Sequence, residues 1–558
     1  MLARSVTRCS NKLKIPAQRS FRRLARPKCQ CRMFSTGHSS SAPMTSPTPM
    51  STAGMLAPFT GELDRIAPSF RISGSQIRIL QSPAEFYETL KAKILAAERR
   101  IFLSTLYIGK SEKELIATLA QALRAKPNLK LSILTDALRG TREAPQPSCA
   151  SLLAPLIEEF GHDRVEIRMY HTPNLTGLRK KWVPRRINEG WGLQHMKLYG
   201  FDDEIILSGA NLSTDYFTNR QDRYHLFSSK DVTEYFANIQ DTISSLSFLV
   251  LPSQSPAGFE LVWPQDNAAP SPLENPGQFV QESTALLSGL ISPKTAPRTS
   301  YDTTSPEKRD TSVYVLTQFS QLLSPDTSTE LPAVTHILKT LSHPQYYSSS
   351  WTFTAGYFNP APSLTQLLLS TASRSGTVIT ASPYANGFYK SPGVSGLLPD
   401  AYTLLARRFL HAIHRHGRDT VVALREWRRG TVGEPDGWTY HAKGLWVTLP
   451  TNAEQQAGEK QAADDDKQAA VVAEDNPAIT LIGSSNYTKR SYSLDLEANA
   501  LIVTENAELR TQLGEEVRRL REPYSRVVTL DDLAVPDRRV GLKVRVAMWI
   551  VSLLGGAL

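Results

Sequence analysis

The feature that most constrains this chain is a phrase that occurs twice along its 558 residues. The first copy reads HMKLYGFD from His195 and continues to GANLS, and the second reads YHAKGLWV from Tyr440 and continues to GSSN. Each copy supplies a histidine, a lysine two residues later and a downstream asparagine. Because residues i and i+2 of a strand face the same side, each histidine and its lysine point together. Two such sets could close around one phosphate, with lysine and amide groups holding its charge and imidazoles carrying out the chemistry.

A carboxylate recurs at the same offset in both copies. Asp222 stands eleven residues after Asn211, and Glu497 stands eleven residues after Asn486. A carboxylate at this position suits the orientation of an imidazole, as in other histidine–carboxylate pairs. One H-x-K could come from an unrelated edge-strand histidine, whereas the repeated set predicts a single composite active site.

These residues resemble the phospholipase D superfamily, whose signature is H-x-K-x(4)-D followed by G-S-x-N. The first copy departs where Ala210 replaces the usual serine, and it matches at His195, Lys197, Asp202, Gly209 and Asn211. The second copy departs where Thr448 replaces the aspartate, and it matches at His441, Lys443, Gly483, Ser484 and Asn486. Because that aspartate is mainly a supporting residue in the superfamily, its loss leaves the implied mechanism intact.

The resemblance implies an α/β fold with two phospholipase D-type lobes related by a pseudo-two-fold and an active site between them. We expect His195 to act as the nucleophile and His441 as the general acid and base. The groups expected to stabilise the phosphoryl oxygens are Lys197, Lys443, Asn211 and Asn486. Glu497 and Asp222 are expected to orient the imidazoles. Asp202, the aspartate of the motif, is counted with them in the expected catalytic set. The scheme requires no metal or other cofactor.

A narrower resemblance covers roughly Pro58 to Tyr524, in words such as TDALRGTR, QHMKLYGFDD, GWTYHAKGLW and SLDLEANALIVT. Over this range the sequence resembles the mitochondrial phosphatidyltransferases of that superfamily. It implies transfer of a phosphatidyl group from CDP-diacylglycerol to glycerol 3-phosphate, on the route to phosphatidylglycerol and cardiolipin. Two alternatives stay open: a mitochondrial phosphodiesterase acting on lipid or nucleic acid, and a non-catalytic lipid-binding scaffold. The retention of both histidine–lysine pairs disfavours the scaffold.

Two arginines follow a predicted strand in the phrase LRGTR. Arg139 and Arg142 stand where α/β folds place ligand-binding loops, and arginine grips phosphate through two parallel hydrogen bonds. The alternative is ordinary loop charge in contact with water. With the resemblance taken into account, we expect both side chains to contact a substrate phosphate.

The charge of the chain is concentrated at its amino terminus. Residues 1–61 contain ten Lys and Arg and no Asp or Glu, and the remaining residues hold 53 basic and 53 acidic side chains. The amino-terminal composition is typical of a mitochondrial transit peptide, so we expect residues 1–58 to be a transit peptide and linker. The neutral body gives no reason to expect nucleic-acid binding.

Two segments have the composition of a membrane-surface contact. The stretch LRKKWVPRR surrounds Trp182 with basic residues, which suits an anionic membrane surface or a phosphate-rich headgroup. The tail VGLKVRVAMWIVSLLGGAL has thirteen uncharged residues after Arg545, too few to span a bilayer. We therefore expect a peripheral enzyme on the mitochondrial inner membrane, although a solvated loop and a docked terminal helix explain the same patterns.

Alternating strand and helix patterns predict the organisation of the remaining chain. We expect a first lobe over residues 59–251 and an inter-lobe connection rich in Pro, Ser and Thr over 252–311. A second lobe is expected over 312–530 and a tail over 531–558. An acidic insertion at about 451–476 separates His441 from Asn486 and predicts a hairpin with a disordered tip.

Overall fold

Two large mixed sheets with helices packed against them form the body of the protein. The computed structural model describes residues 52–184, 188–293, 308–449 and 476–553. The strands of these ranges are β1 (Ser69–Ile72), β2 (Ile77–Leu80), β3 (Arg100–Ser104), β4 (Lys130–Asp136), β5 (Val165–Tyr170), β6 (Leu198–Phe201), β7 (Glu204–Ser208), β8 (Arg220–Gln221), β9 (Tyr224–Phe227), β10 (Phe248–Pro252), β11 (Phe259–Val262), β12 (Thr311–Gln318), β13 (Ser350–Ala355), β14 (Ser375–Ala381), β15 (Val422–Trp427), β16 (Thr439–Tyr440), β17 (Lys443–Thr448), β18 (Ile479–Gly483), β19 (Glu497–Thr504) and β20 (Ser525–Val527).

The helices cover the faces of these sheets. They are α1 (Thr52–Ile66), α2 (Pro83–Ala96), α3 (Lys113–Ala125), α4 (Ala137–Gly140), α5 (Cys149–Phe160), α6 (Gly177–Trp182), α7 (Thr214–Thr218), α8 (Lys230–Ser244), α9 (Pro276–Ile291), α10 (Glu330–Thr340), α11 (Pro362–Ser370), α12 (Leu398–Arg415), α13 (Lys489–Ser493), α14 (Ala507–Arg521) and α15 (Leu542–Leu553).

The two sheets repeat one topology. Their strand orders are β11-β10-β5-β4-β3-β6-β7-β9-β2 and β1-β12-β19-β18-β17-β13-β14-β15-β20. The run β5-β4-β3-β6-β7-β9-β2 matches the run β15-β14-β13-β17-β18-β19-β12, with parallel and antiparallel neighbours in the same places. The predicted two-lobe α/β architecture is therefore confirmed.

Local sequence explains the helices that support the first sheet. Helix α2 begins because the side chain of Ser82 accepts a hydrogen bond from the amide of Glu85 and a proline occupies the first helical position. Its residues Phe86, Leu90 and Ile94 recur at helical spacing and are fully buried. The pattern KELIATLAQALRA likewise predicts the bounds of α3.

The amino-terminal part of the body differs from the prediction. Residues 52–58, predicted to be linker, form the start of α1, where Met55 and Leu56 are buried. Strand β1, predicted within the first lobe, pairs with β12 and thus extends the second sheet. The apolar spacing of α1 outweighs the loop-like composition because its face packs on α10. Residues 1–51, which hold most of the predicted transit peptide, lie outside the described residues.

The segment predicted to be an inter-lobe connection carries more structure than its composition suggests. It contributes β11 and the helix α9, in which Phe279, Leu287 and Ile291 are buried. The predicted acidic insertion falls almost entirely on residues 450–475, which are outside the described residues.

One core lies between the two sheets. It joins Phe102 and Leu198 of the first sheet to Trp446 and Ile482 of the second, together with side chains of α8, α9 and α14. All described residues belong to one compact unit, Pro49–Leu558. Because both sheets share this core, the strand ends that carry the repeated motifs are held in fixed positions relative to each other.

Candidate active site

Two short parallel pairings bring the repeated motifs together. Gln194, just before His195, forms a bridge with Leu496, just before Glu497, and the amide of His195 donates to the carbonyl of Leu496 at 2.9 Å. Strand β16, just before His441, pairs with β8, just before Asp222. The amide of His441 donates to the carbonyl of Gln221 at 2.8 Å. In both cases a histidine segment of one half lies beside the carboxylate segment of the other half.

Each imidazole is consequently held by the carboxylate of the opposite half. Nδ1 of His195 lies 3.0 Å from both carboxylate oxygens of Glu497, and Nδ1 of His441 lies 2.6 Å from Oδ2 of Asp222. All four side chains are buried. A carboxylate on Nδ1 fixes the orientation of the ring and directs Nε2 toward the centre of the site. Nε2 of His441 lies 3.2 Å from Nζ of Lys443 and 3.4 Å from the hydroxyl of Tyr216.

The two lysines lie against the histidines they accompany in sequence. Nζ of Lys197 donates to the carbonyl of His195 at 2.6 Å. Nζ of Lys443 lies 2.8 Å from Nδ1 of His441 and 3.9 Å from Oδ2 of Asp222. Both lysines are buried, so their charges act in a site with little water to screen them. The site is thus suited to hold an anionic phosphoryl group.

Burial and neighbouring charge shift the titration of the whole site. Burial lowers the pKa of both imidazoles well below the usual range, and the nearby lysine ammonium groups lower it further. Burial raises the pKa of Asp222 to about 6 and that of Glu497 to about 7, against the opposing effect of the lysines. Burial also lowers the pKa of Lys443 to about 8. A neutral imidazole whose Nε2 carries no proton is the form that can attack phosphorus.

The two asparagines occupy different surroundings. Nδ2 of Asn211 donates to the hydroxyl of Tyr216 at 3.0 Å, and that hydroxyl lies 3.4 Å from Nε2 of His441. Among the described residues, Oδ1 of Asn486 is buried and has no hydrogen-bond partner. Asn211 is therefore linked through Tyr216 to the histidine of the other half, whereas the amide oxygen of Asn486 has no partner within the described part of the chain.

Asp202 lies away from the histidines, and its expected place in the catalytic set is corrected here. It forms the turn between β6 and β7, at the end of β6 remote from His195, with φ of 51°. Its carboxylate accepts hydrogen bonds from the amides of Glu98, Arg99 and Arg100 at 2.8–3.0 Å. This role is structural, which accounts for the tolerance of Thr448 in the second copy.

Arg139 and Arg142 lie near the site, but they contact a glutamate that the sequence did not single out. The carboxylate of Glu189 accepts hydrogen bonds from Nε and Nη2 of Arg142. Nη1 of Arg139 lies 3.6 Å from the same carboxylate. The guanidinium group of Arg139 also lies over the ring of Tyr107, 4.6 Å from its centroid.

Other residues at the site were missed because the second copy does not repeat them. Tyr216 stands five residues after Asn211, but Ser491 occupies the equivalent position after Asn486. Arg220 lies over the ring of Tyr216 and lowers the pKa of His441. Because these positions differ between the two copies, the duplicated pattern carries no signal for these side chains.

A buried arginine also joins the two halves beside the site. Arg223 follows Asp222 and donates to the carbonyls of Lys443 and Leu481 at 3.0 and 2.7 Å, and it pairs with Glu516 at 2.9 Å. A Cβ at Gly444 would come within 1.9 Å of this guanidinium group. The arginine therefore fixes the strand that carries Lys443 against the segment that carries Asp222.

Within the described ranges, no group of three or more His, Cys, Asp or Glu side chains is arranged to hold a metal ion. The arrangement supplies two imidazoles, two ammonium groups and two carboxylates around one buried centre. Such a set of groups can carry out nucleophilic substitution with proton transfer at a phosphate.

Comparison with known proteins gives a consistent result. The chain is 44% identical over 510 residues to the CDP-diacylglycerol–glycerol-3-phosphate 3-phosphatidyltransferase of Saccharomyces cerevisiae, covering 89% of this chain and 93% of the relative. It is 34% identical over 514 residues to the mitochondrial enzyme of the same name from Homo sapiens, covering 87% and 84%. No protein-family model matches the chain.

A solved structure shares the fold. The crystal structure of phosphatidylserine synthase from Haemophilus influenzae superimposes with a TM-score of 0.61 at 18% identity, covering 89% of this chain and 96% of that one. The repeated sheet topology is therefore found in a second protein of low sequence similarity.

Proposed function

Because the chain belongs to the CDP-diacylglycerol–glycerol-3-phosphate 3-phosphatidyltransferase family, we propose that its paired histidines are the site of phosphatidyl transfer. The enzyme transfers the phosphatidyl group of CDP-diacylglycerol to sn-glycerol 3-phosphate, and the products are phosphatidylglycerophosphate and CMP. The observation that supports this site is the reciprocal pairing of each histidine with the carboxylate of the opposite half.

In the first step, Nε2 of His195 attacks the phosphorus that carries diacylglycerol. The bond from this phosphorus to the bridging oxygen of CMP breaks, and His441, as an imidazolium, gives its Nε2 proton to the leaving CMP. The anionic diphosphate offsets the positive field of the two lysines and so raises the pKa of His441 in the complex. The intermediate is a phosphatidyl group bonded to Nε2 of His195.

In the second step, a hydroxyl of glycerol 3-phosphate attacks the same phosphorus. Nε2 of His441 takes the hydroxyl proton, and the phosphorus–nitrogen bond to His195 breaks. The product leaves, and His441 is again protonated for the next donor. Throughout the reaction, Nδ1–H of His195 donates to Glu497 and Nδ1–H of His441 donates to Asp222, so each ring keeps its orientation.

The groups around the phosphorus stabilise the charge that develops in both transition states. Lys197 and Lys443 supply positive charge in a buried site, and Asn211 and Asn486 supply side-chain amides. Among the described residues, Oδ1 of Asn486 is buried without a hydrogen-bond partner. As an acceptor, this oxygen suits a substrate hydroxyl, and only the Nδ2 group of the same amide can donate to a phosphoryl oxygen.

The membrane contact is proposed from two exposed helices at the same edge of the molecule. Helix α6 follows the carboxyl end of β5, at the sheet edge where His195 enters β6, and exposes Leu178 and Trp182 beside three basic residues. Arg185 and Arg186 of the same predicted stretch lie outside the described residues. Exposed apolar side chains with adjacent basic groups suit an anionic lipid surface.

Helix α15 provides the second contact. Arg538 pairs with Glu426 near the carboxyl end of β15, so α15 starts from the corresponding edge of the second sheet. It exposes Leu542, Val546 and Trp549 close to Lys543 and Arg545. Of the helices described, none has both the length and the apolar character to span a bilayer. We place the enzyme peripherally on the mitochondrial inner membrane, a placement supported by relatives named as mitochondrial.

One incubation tests the function. The purified chain, in mixed micelles with CDP-diacylglycerol, should form phosphatidylglycerophosphate and CMP only when glycerol 3-phosphate is present. Release of phosphatidic acid at the same rate without the acceptor would instead make the enzyme a phosphodiesterase. A His195→Ala and His441→Ala double variant provides the blank.

A further inference from the structure

The proposed reaction needs a second phosphate site. The histidines, lysines and asparagines surround the phosphorus that is transferred. Both substrates carry another phosphate that does not react: the CMP phosphate of the donor and the phosphomonoester of the acceptor. Anionic groups of this kind are usually bound by arginine, whose planar fork matches two phosphate oxygens.

Three arginines converge on Glu189 beside the site. Arg142 donates from Nε at 2.7 Å and from Nη2, and Nη1 of Arg139 lies 3.6 Å away. Nη2 of Arg490 donates to the backbone carbonyl of Glu189 at 2.8 Å. The first two arginines come from the first half and Arg490 from the second, so the cluster spans the two halves. We call these three side chains the arginine cluster.

The cluster is tied to the backbone immediately before His195. Asp136 accepts from the amide of Arg139 at 2.8 Å and from the amide of Gln194 at 2.9 Å. Asp495 pairs with Nε of Arg490 at 3.3 Å and accepts from the amide of Leu193 at 3.2 Å. Asp136 therefore connects Arg139 to the backbone just before His195, and Asp495 connects Arg490 to it.

The repeat supplies a second, independent observation. Arg490 stands four residues after Asn486 and pairs with Asp495, nine residues after it. The equivalent positions of the first copy hold the reverse pair, Asp215 and Arg220, at 2.7 Å. The ion pair is kept in both halves while its direction is inverted. A structural role is enough to explain why both halves keep this ion pair. The exchanged order of arginine and aspartate places the guanidinium group of Arg490 beside Glu189, and the first half has no equivalent of this contact among the described residues.

We propose that Arg139, Arg142 and Arg490 bind the non-reacting phosphate of a substrate, and that Glu189 is a positioning residue that holds the three guanidinium groups together. This rests on the proposed function. Glu189 engages only part of the donors of each fork, since a guanidinium group carries five N–H groups. The remaining N–H groups form an anion site at one end of the reaction centre.

The test uses Arg490→Lys and Arg142→Lys in the full chain, with separate titrations of CDP-diacylglycerol and glycerol 3-phosphate. Lysine keeps the charge and the ion pair but loses the fork. We expect the apparent KM of one substrate to rise about 10- to 100-fold, with a smaller change in kcat. A rise for glycerol 3-phosphate assigns the acceptor phosphate, and a rise for CDP-diacylglycerol assigns the CMP phosphate.

Two controls make the outcome decisive. Arg408→Lys, an exposed position on α12, should leave both constants unchanged, and thermal unfolding should show that each variant is folded. Glu189→Gln should raise the same KM as Arg142→Lys, and Glu189→Asp should restore part of the affinity. If folded Arg490→Lys and Arg142→Lys enzymes keep both constants within two-fold of wild type, the arginine cluster is ordinary structural charge. Wild-type turnover in the same assay shows that the proposed function stands in either case.

Discussion

His195 and Glu497 are 302 positions apart in the chain, yet Nδ1 of the histidine lies 3.0 Å from the carboxylate. His441 and Asp222, 219 positions apart, form the reciprocal pair. Each histidine of the repeated motif is therefore paired with the carboxylate of the opposite half and not with that of its own. The two pairs can form only when both halves are folded together.

The first prediction concerns these two carboxylates. Glu497→Gln and Asp222→Asn should each reduce kcat about 10²- to 10⁴-fold, because an amide no longer stabilises the imidazolium or fixes its tautomer. Glu515→Gln, at a partly exposed glutamate of α14, is the matched control. A folded Glu497→Gln enzyme with near-normal kcat would show that the pairing has no catalytic role.

Asp202 should behave differently from Asp222. Asp202→Asn weakens the acceptance of three backbone N–H groups and should lower the free energy of unfolding by about 1–3 kcal/mol. Turnover per folded molecule should stay close to wild type, since this side chain lies at the far end of β6. Denaturant titration and kcat measured on the same samples separate the two effects, and a large fall in kcat at unchanged stability would return Asp202 to the catalytic set.

The pH dependence of activity should reflect the carboxylates. Because the pKa values of Asp222 and Glu497 are raised to about 6 and about 7, both pairs lose their anion as the pH falls through this range. The pKa values of the imidazoles are shifted downward, so these rings stay neutral there in the free enzyme. We expect kcat/KM to decline between about pH 7 and 6. A profile flat down to pH 5 would contradict this assignment.

The raised pKa of Glu497 should also appear in the pH dependence of the free energy of unfolding. Folded Glu497 keeps its proton up to about pH 7, whereas an ordinary glutamate releases it near 4.5. The folded state thus binds more protons in this window, and the contribution of Glu497 to the free energy of unfolding declines as the pH rises. Relative to wild type, Glu497→Gln should gain stability between about pH 5 and 7, measured by urea titration. A constant difference across that range would argue against the raised pKa.

Membrane binding should depend on the exposed side chains of α6 and α15. Trp182→Ala with Trp549→Ala should reduce co-sedimentation with vesicles containing anionic lipid about ten-fold or more, because two interfacial side chains are lost. Tyr347→Ala is the matched control: this exposed aromatic precedes β13, at the sheet edge opposite the histidines. Equal loss of binding in the control, or none in the double variant, would remove these helices from the membrane contact.

The sequence predicted the repeated lobes and the chemistry-bearing residues because strand periodicity and the duplicated motif are local signals. It did not predict that Glu497 serves His195 and Asp222 serves His441, because equal spacing in two copies is compatible with pairing within or between halves. Strand β1 was missed as part of the second sheet because its partner β12 lies more than 200 residues away. Asp202 was predicted to be catalytic from the motif alone, and only the structure shows that its carboxylate accepts hydrogen bonds from three backbone amides.

Identification of the covalent intermediate tests the two-histidine mechanism most directly. Wild-type enzyme mixed with CDP-diacylglycerol without acceptor, quenched in base and digested, should yield a peptide carrying a phosphatidyl group on His195. Addition of glycerol 3-phosphate before the quench should remove the adduct and release phosphatidylglycerophosphate. An adduct on His441 would exchange the roles of the two histidines. Full turnover in a folded His195→Ala enzyme, with no adduct on any histidine, would contradict the mechanism.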